Sequence, residues 1–281
     1  MNASAVVHGT RTEHLKVSRE AGTAWIIIDR LEKRNALSPQ MWAELPQMLR
    51  QLDEDPTVRV IGLRGAGKTF SAGADIAEVL DCLIDNGTGV PRGGLLTRAA
   101  QALAAVRKAT VCVLEGYCMG GAWMLAQACD LRVAAESVRI GLTPSRIGII
   151  YPEYGINMLV RMVGPAVASE LLLTGDTITA AEARRCGMLT RVVAEEDLEH
   201  EVLDLCGRLE RNSQLSVQAQ KYLIAAAGEN TGRPSGDQII QDLFAQVAAG
   251  PDAHLGRLAF LGKQAPVFEW SGERFWSAPR K

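Results

Sequence analysis

Four short runs of β-branched and apolar residues, at 23–29, 58–63, 110–114 and 131–134, are separated by stretches with helical periodicity. Runs this short and this uniformly apolar read as strands buried on both faces. Strands separated by helices need crossover connections, so the chain is constrained to an α/β core with a largely parallel sheet. Ser38 before Pro39 marks a helix start, and that helix runs to about Asp53 with Trp42, Leu45, Leu49 and Leu52 on one face. Pro46 lies inside it, at a cost of roughly 3 kcal/mol or a kink. Further helical segments are expected at 76–82, 95–106 and 122–129. From Val160 onward the reading turns helical, with segments at 165–173, 180–186, 196–211 and 215–227, and Thr179 and Glu182 spaced as a capping box. A chain of 281 residues, 47% of them hydrophobic, is long enough for one such core with an appendage. The division reads as a core over 13–195, a C-terminal helical region over 196–268, and tails at 1–12 and 269–281.

The formal net charge is -2, so no global field draws the chain to nucleic acid or anionic lipid. Residues 1–14 hold no apolar targeting segment, and the longest charge-poor apolar stretch, between Glu115 and Asp130, is well short of the ~18 residues that span a bilayer. A cytoplasmic location is expected, with no membrane partner. The six cysteines (Cys82, Cys112, Cys118, Cys129, Cys186, Cys206) lack CxxC or zinc-finger spacing, so no metal is expected and the thiols read as reduced and structural. All four histidines lie away from the Gly-rich segments, which leaves a Ser/His or Cys/His nucleophile without support. Residues 85–94, with four glycines and a proline, read as a mobile loop.

Two Gly-rich turns carry the chemistry. Gly62 to Thr69 fits the phosphate-binding pattern G-x-x-x-x-G-K-[ST] letter for letter. That pattern needs a helix directly after the Lys-Thr pair, whereas Phe70-Ser71-Ala72-Gly73-Ala74-Asp75 follows, so its context fails. Two helix starts, one after Ala72-Gly73-Ala74-Asp75 and one after Gly120-Gly121, instead offer free backbone N–H donors that small residues leave accessible. Two such turns on neighbouring strands can aim two amides at one oxygen, and one donor of an oxyanion hole is typically worth ~2.7–4 kcal/mol in the transition state.

In these segments the chain resembles the crotonase, or enoyl-CoA hydratase/isomerase, superfamily. The motifs are Arg34-Asn35-Ala36-Leu37, then Lys68 to Ile76, then Glu115 to Ala122, followed by Leu173-Thr174-Gly175-Asp176, Ala180 to Ala183, Gly187-Met188-Leu189 and Phe260-Leu261-Gly262-Lys263. The resemblance implies a ββα spiral core with a helical C-terminal trimerisation region, assembled as a homotrimer or hexamer. It implies an acyl-CoA substrate and no separate cofactor, with the amides of Ala72 and Gly121 on the thioester oxygen. Ala36, Ala74, Asp75 and Ile76, with Arg34 beside them, would contact the coenzyme A end, and Lys263 would reach its phosphates, although Gln264-Ala265 departs from the basic residues that usually follow.

Hydratases of that family use two glutamates, and Met124 and Pro144 stand in their places. Neither side chain carries a proton. The resemblance then points to Glu153, within one residue of the acid of some double-bond isomerases. Its Ile, Tyr and Pro neighbours would raise a carboxyl pKa into a useful range. Thr143-Pro144, Gly148 and Tyr151 resemble the matching loop of methylmalonyl-CoA decarboxylase, which has a tyrosine near the substrate. The expected activity is therefore double-bond isomerisation with Glu153 as the single acid/base and Tyr151 orienting the acyl group. Decarboxylation is the alternative, and an acyl-CoA-binding protein with little catalysis follows if Glu153 faces solvent.

Overall fold

The computed structural model describes residues 13–84, 93–228 and 238–270. The expected loop at 85–94 falls mostly outside these, as do residues 1–12 and most of the C-terminal tail. The hairpin β1 (Leu15–Glu20) and β2 (Thr23–Ile28) opens the chain, followed by α1 (Pro39–Glu54) and β3 (Val60–Gly65). The short α2 (Val79–Leu83) and α3 (Gly94–Ala104) lead to β4 (Ala109–Leu114) and β5 (Tyr117–Met119). Next come α4 (Gly121–Ala128), β6 (Leu131–Ala135), β7 (Arg139–Gly141) and α5 (Glu153–Thr174). β8 (Thr177–Thr179), α6 (Ala180–Arg185) and β9 (Arg191–Val193) complete the sheets, and α7 (Leu198–Arg211), α8 (Gln214–Gly228), α9 (Gln238–Ala249) and α10 (Pro251–Leu261) follow.

The main sheet has the order β1-β2-β3-β4-β6-β9, parallel except for the β1/β2 hairpin. A small second sheet has the order β5-β7-β8. β4 and β6 each feed, through a tight turn, a short strand of the small sheet and then a helix. β3 repeats the unit, with Ser71 bridged in parallel to Cys118. Three ββα units wound in this way form the spiral that the resemblance implies. β1, β9 and the small sheet were not legible as strands in the sequence, because they are short or half-exposed.

Apolar residues on one face of the sheet pack with α1, α3 and α4 around Trp42, Trp123 and Phe70. On the other face, Trp25, Val60, Val111 and Val133 pack against Leu198, Val202 and Leu205 of α7. Strands covered on both sides have no solvent face, which accounts for their continuous apolar reading. α7 thus covers the core sheet, although it lies in the stretch assigned to the C-terminal region. Ser38 caps α1 at the Met41 amide, Thr179 and Glu182 form the reciprocal capping box, and α1 runs unbroken through Pro46. Burial of Met41, Trp42, Leu45, Met48, Leu49 and Leu52 outweighs that proline. α5 has the length and hydropathy to cross a bilayer, but it is interrupted at Gly164 (φ 77°) before Pro165, which starts its second half. Leu243 is buried against Leu215 and Ala219, whereas its neighbour Phe244 is 65% exposed.

Candidate active site

The first turn is organised by Asn35, a fully buried polar residue in the left-handed region (φ 58°). Its side-chain oxygen accepts from the Arg30 amide at 3.0 Å, and its nitrogen donates to the carbonyls of Ala66 (2.9 Å) and Thr69 (2.7 Å). The Ser71 hydroxyl donates to the Asn35 carbonyl at 2.7 Å and accepts from the Gly73 amide at 3.0 Å. The strap that follows is stitched to residues 34–37: Ala72 N–H donates to the Arg34 carbonyl (3.0 Å), Leu37 N–H to Gly73 (2.8 Å) and Asp75 N–H to Leu37 (2.9 Å). Ala72 is therefore not available as an oxyanion donor, because its N–H already has an acceptor. Among the described residues the Ala74 N–H finds none. Gly73, with a φ of +96°, breaks the alternation of the strap between Ala72 and Ala74.

The second turn ends β5 and starts α4. Gly121 is the first residue of that helix, so its N–H has no intrahelical acceptor, and none is found among the described residues. The two turns touch. A Cβ on Gly73 would sit 2.5 Å from the Met119 carbonyl and 3.2 Å from the Gly121 nitrogen, and one on Gly121 would sit 3.5 Å from the Ala74 nitrogen. Glycine at both positions is what allows two unpartnered amides to stand side by side.

These amides border an open cleft walled by Ile76, Val79 and Leu83 on one side, Ile147, Ile149, Ile150 and Pro152 on another, and Leu96. No Asp, Glu, His, Lys, Arg or Cys side chain among the described residues lines it. Its polar side chains are Thr143 and Tyr151. The Tyr151 hydroxyl donates to the Gly120 carbonyl at 3.2 Å, and burial pushes the phenol pKa well up, so it stays protonated. Met124 is fully buried and Pro144 lies in the wall. Glu153 does not reach the cleft. It is the exposed first residue of α5, and the helical period turns residues 152 and 155 inward while 153 points to solvent. Gly155 packs on Tyr151 and Met124 so closely that a Cβ there would lie 2.6 Å from the tyrosine ring. The apolar surroundings foreseen for Glu153 belong to its neighbours.

Of the residues expected at the coenzyme A end, Ala36 is buried, with its carbonyl accepting from Arg30 at 3.2 Å, and Arg34 is exposed. Asp75 caps the Ala77 amide (3.2 Å) and pairs with Arg30 (2.9 Å). Burial opposes its ionisation, but that amide and Arg30 hold its pKa below the usual range. Ile76 is 65% exposed on the cleft rim. Lys263 is exposed beyond α10 and is not part of the cleft wall. The phosphate-loop pattern dissolves into structure. Gly62 lies within β3, where a Cβ would meet the Trp25 ring at 2.1 Å, and the next helical turn begins only at Ile76. Asn35 and Ser71, which hold the first turn, were missed as functional residues. A buried asparagine suited to the left-handed region was the available signal.

Comparison with known proteins gives one answer. The family model for enoyl-CoA hydratase/isomerase matches residues 18–271. The chain is 32% identical over 256 residues to the probable enoyl-CoA hydratase echA8 of Mycobacterium tuberculosis, covering 91% of this chain and 98% of that protein. It is 32% identical over 257 residues to the crotonyl-CoA hydratase of Syntrophomonas wolfei, with the same coverage. A solved structure described as an enoyl-CoA hydratase/isomerase family member superimposes with a TM-score of 0.87 at 40% identity, covering 93% of this chain and 98% of that one.

Proposed function

Because the chain belongs to the enoyl-CoA hydratase/isomerase family, we propose that it binds an acyl-CoA thioester with its carbonyl oxygen between the amides of Ala74 and Gly121, and decarboxylates a 2-carboxyacyl-CoA. One observation carries this reading: two unpartnered amides meet at a cleft whose described wall has no group able to take up a proton. Hydration and double-bond isomerisation both move protons through a positioned acid/base. Met124 and Pro144 offer none, and Glu153 faces solvent. Loss of CO2 needs no base. The bond between the α carbon and the carboxylate breaks, and its electron pair enters the thioester as an enolate whose oxygen the two amides hold. Water then returns a proton to the α carbon, and the hydroxide left behind is taken up by the released CO2, so that the products are the shorter acyl-CoA and bicarbonate. The aliphatic wall favours this direction, since a carboxylate placed against it loses hydration that the departing neutral CO2 does not need.

The test compares three substrates on one preparation: methylmalonyl-CoA, crotonyl-CoA and a 3-enoyl-CoA. We expect decarboxylation to exceed hydration and isomerisation by at least about tenfold, and Glu153→Gln to leave it unchanged. Dominant hydration or isomerisation, or a loss of most activity in Glu153→Gln, would refute the assignment. Binding of all three thioesters without turnover would reduce the function to acyl-CoA binding.

A further inference from the structure

We propose that Tyr151 is a positioning residue: its hydroxyl clamps the Gly120 carbonyl and thereby aims the Gly121 amide of the same peptide unit at the substrate oxygen. The inference rests on the reading of Ala74 and Gly121 as the oxyanion-binding pair. The Gly120 carbonyl and the Gly121 N–H share one planar unit and point in opposite directions, so whatever fixes one fixes the other. Gly120 has φ 50° and ψ −117°, and a Cβ built on it meets nothing within 4 Å. Crowding at this residue therefore does not hold the unit in place. With glycine on both sides, the unit pivots at little steric cost. A flip would turn the Gly121 N–H out of the cleft and bring in a carbonyl, which repels the charge that the site must stabilise.

Two donors oppose that flip. The Trp123 amide donates to the Gly120 carbonyl at 3.1 Å, within the first turn of α4, and the Tyr151 hydroxyl donates to the same oxygen at 3.2 Å. The tyrosine comes from the segment before α5, so it ties the turn to the opposite wall of the cleft. Its ring is buried and lies against Gly155, where a Cβ would stand 2.6 Å away. A second donor on that carbonyl also polarises the N–H across the unit and strengthens it as a donor. The Ala74 amide needs no such help: its unit is held through the Gly73 carbonyl by the backbone N–H of Leu37 at 2.8 Å. One oxyanion donor is thus held by backbone alone, and the other by one backbone amide together with a side chain.

The measurement is the infrared stretch of a ¹³C-labelled thioester carbonyl in bound butyryl-CoA, which has no double bond and no carboxylate to turn over. On wild-type protein the band should move to lower frequency. In Tyr151→Phe the shift should fall to less than half, while the affinity for free coenzyme A stays within about twofold and kcat drops about tenfold with KM little changed. Site-specific 3-fluorotyrosine at position 151, a stronger donor of nearly native volume, should enlarge the shift, and it keeps the test open if the phenylalanine variant does not fold. A native shift in both substituted proteins would overturn the proposal, because a ring that only packs leaves the band where it is. A wild-type protein without any shift would overturn the oxyanion reading itself, before any substitution is made.

Discussion

Asn35 is the residue on which the first turn depends. Its three side-chain hydrogen bonds join the backbone at Arg30, Ala66 and Thr69, and its own carbonyl receives Ser71. Asn35 and Ser71 are fully buried, and Arg30, Ala66 and Thr69 are half-buried. At about 1 kcal/mol for each buried bond removed, Asn35→Ala should destabilise the fold by roughly 3 kcal/mol, read from urea unfolding. It should also lower turnover, because Ser71 and Gly73 set the direction of the Ala74 amide. A loss below about 1 kcal/mol would mean that the turn is held by other contacts. The same strap explains why Ala74, rather than Ala72, is available to a ligand. The two alanines stand on either side of Gly73, whose positive φ breaks the alternation of the strap, and this was invisible until the pairing of 71–75 with 34–37 was seen.

Among the helices, α1 and α5 show how packing decides what a sequence pattern leaves open. The start of α5 assigns inside and outside by its period, and a shift of one residue would have put a carboxylate in the cleft. Asp55 caps the C-terminus of α1, and its carboxylate accepts from the Thr57 amide (2.9 Å) and hydroxyl (2.7 Å) and from Arg19 of β1 (2.6 Å). Burial is the largest single influence and raises its pKa, but the bonds from Thr57 and Arg19 together outweigh it and hold the group at about 2, against 3.8 for the free carboxyl. A carboxylate with a depressed folded pKa binds protons less readily than it does in the unfolded chain. Its stabilisation is therefore complete above pH 3.8 and lost as the pH falls toward 2. Asp55→Asn should flatten the acid limb of stability between pH 4 and pH 2, measured by chemical unfolding at several pH values. An unchanged acid limb would show that Asp55 is not coupled to folding.

At the scale of the whole molecule, the C-terminal helices carry exposed apolar side chains among the described residues. Ile224, Phe244, Phe260 and Leu261 are 72%, 65%, 84% and 66% exposed. Surface of this kind marks an interface, and we propose that it is covered by further copies of the chain in a trimer or a pair of trimers. Light scattering at micromolar concentration should give three or six times the 30.3 kDa of one chain, and Phe260→Asp should lower that mass. A monomer at that concentration would refute the assembly.

The apolar runs and the helix caps were legible in the sequence, because strand burial, N-caps and the Thr179 to Glu182 box depend on residues close together in the chain. The two Gly-rich turns were legible for the same reason. Three things were decided by tertiary structure alone. The identity of the free amide depended on pairing between segments some 35 residues apart, and the side of α5 that Glu153 occupies depended on the packing of Gly155 against Tyr151 and Met124. The meeting of Gly73 with Gly121 came from winding successive ββα units so that their turns face one another. Each is a relation between distant residues, and a single sequence carries such relations only as possibilities until burial and hydrogen bonding select one arrangement.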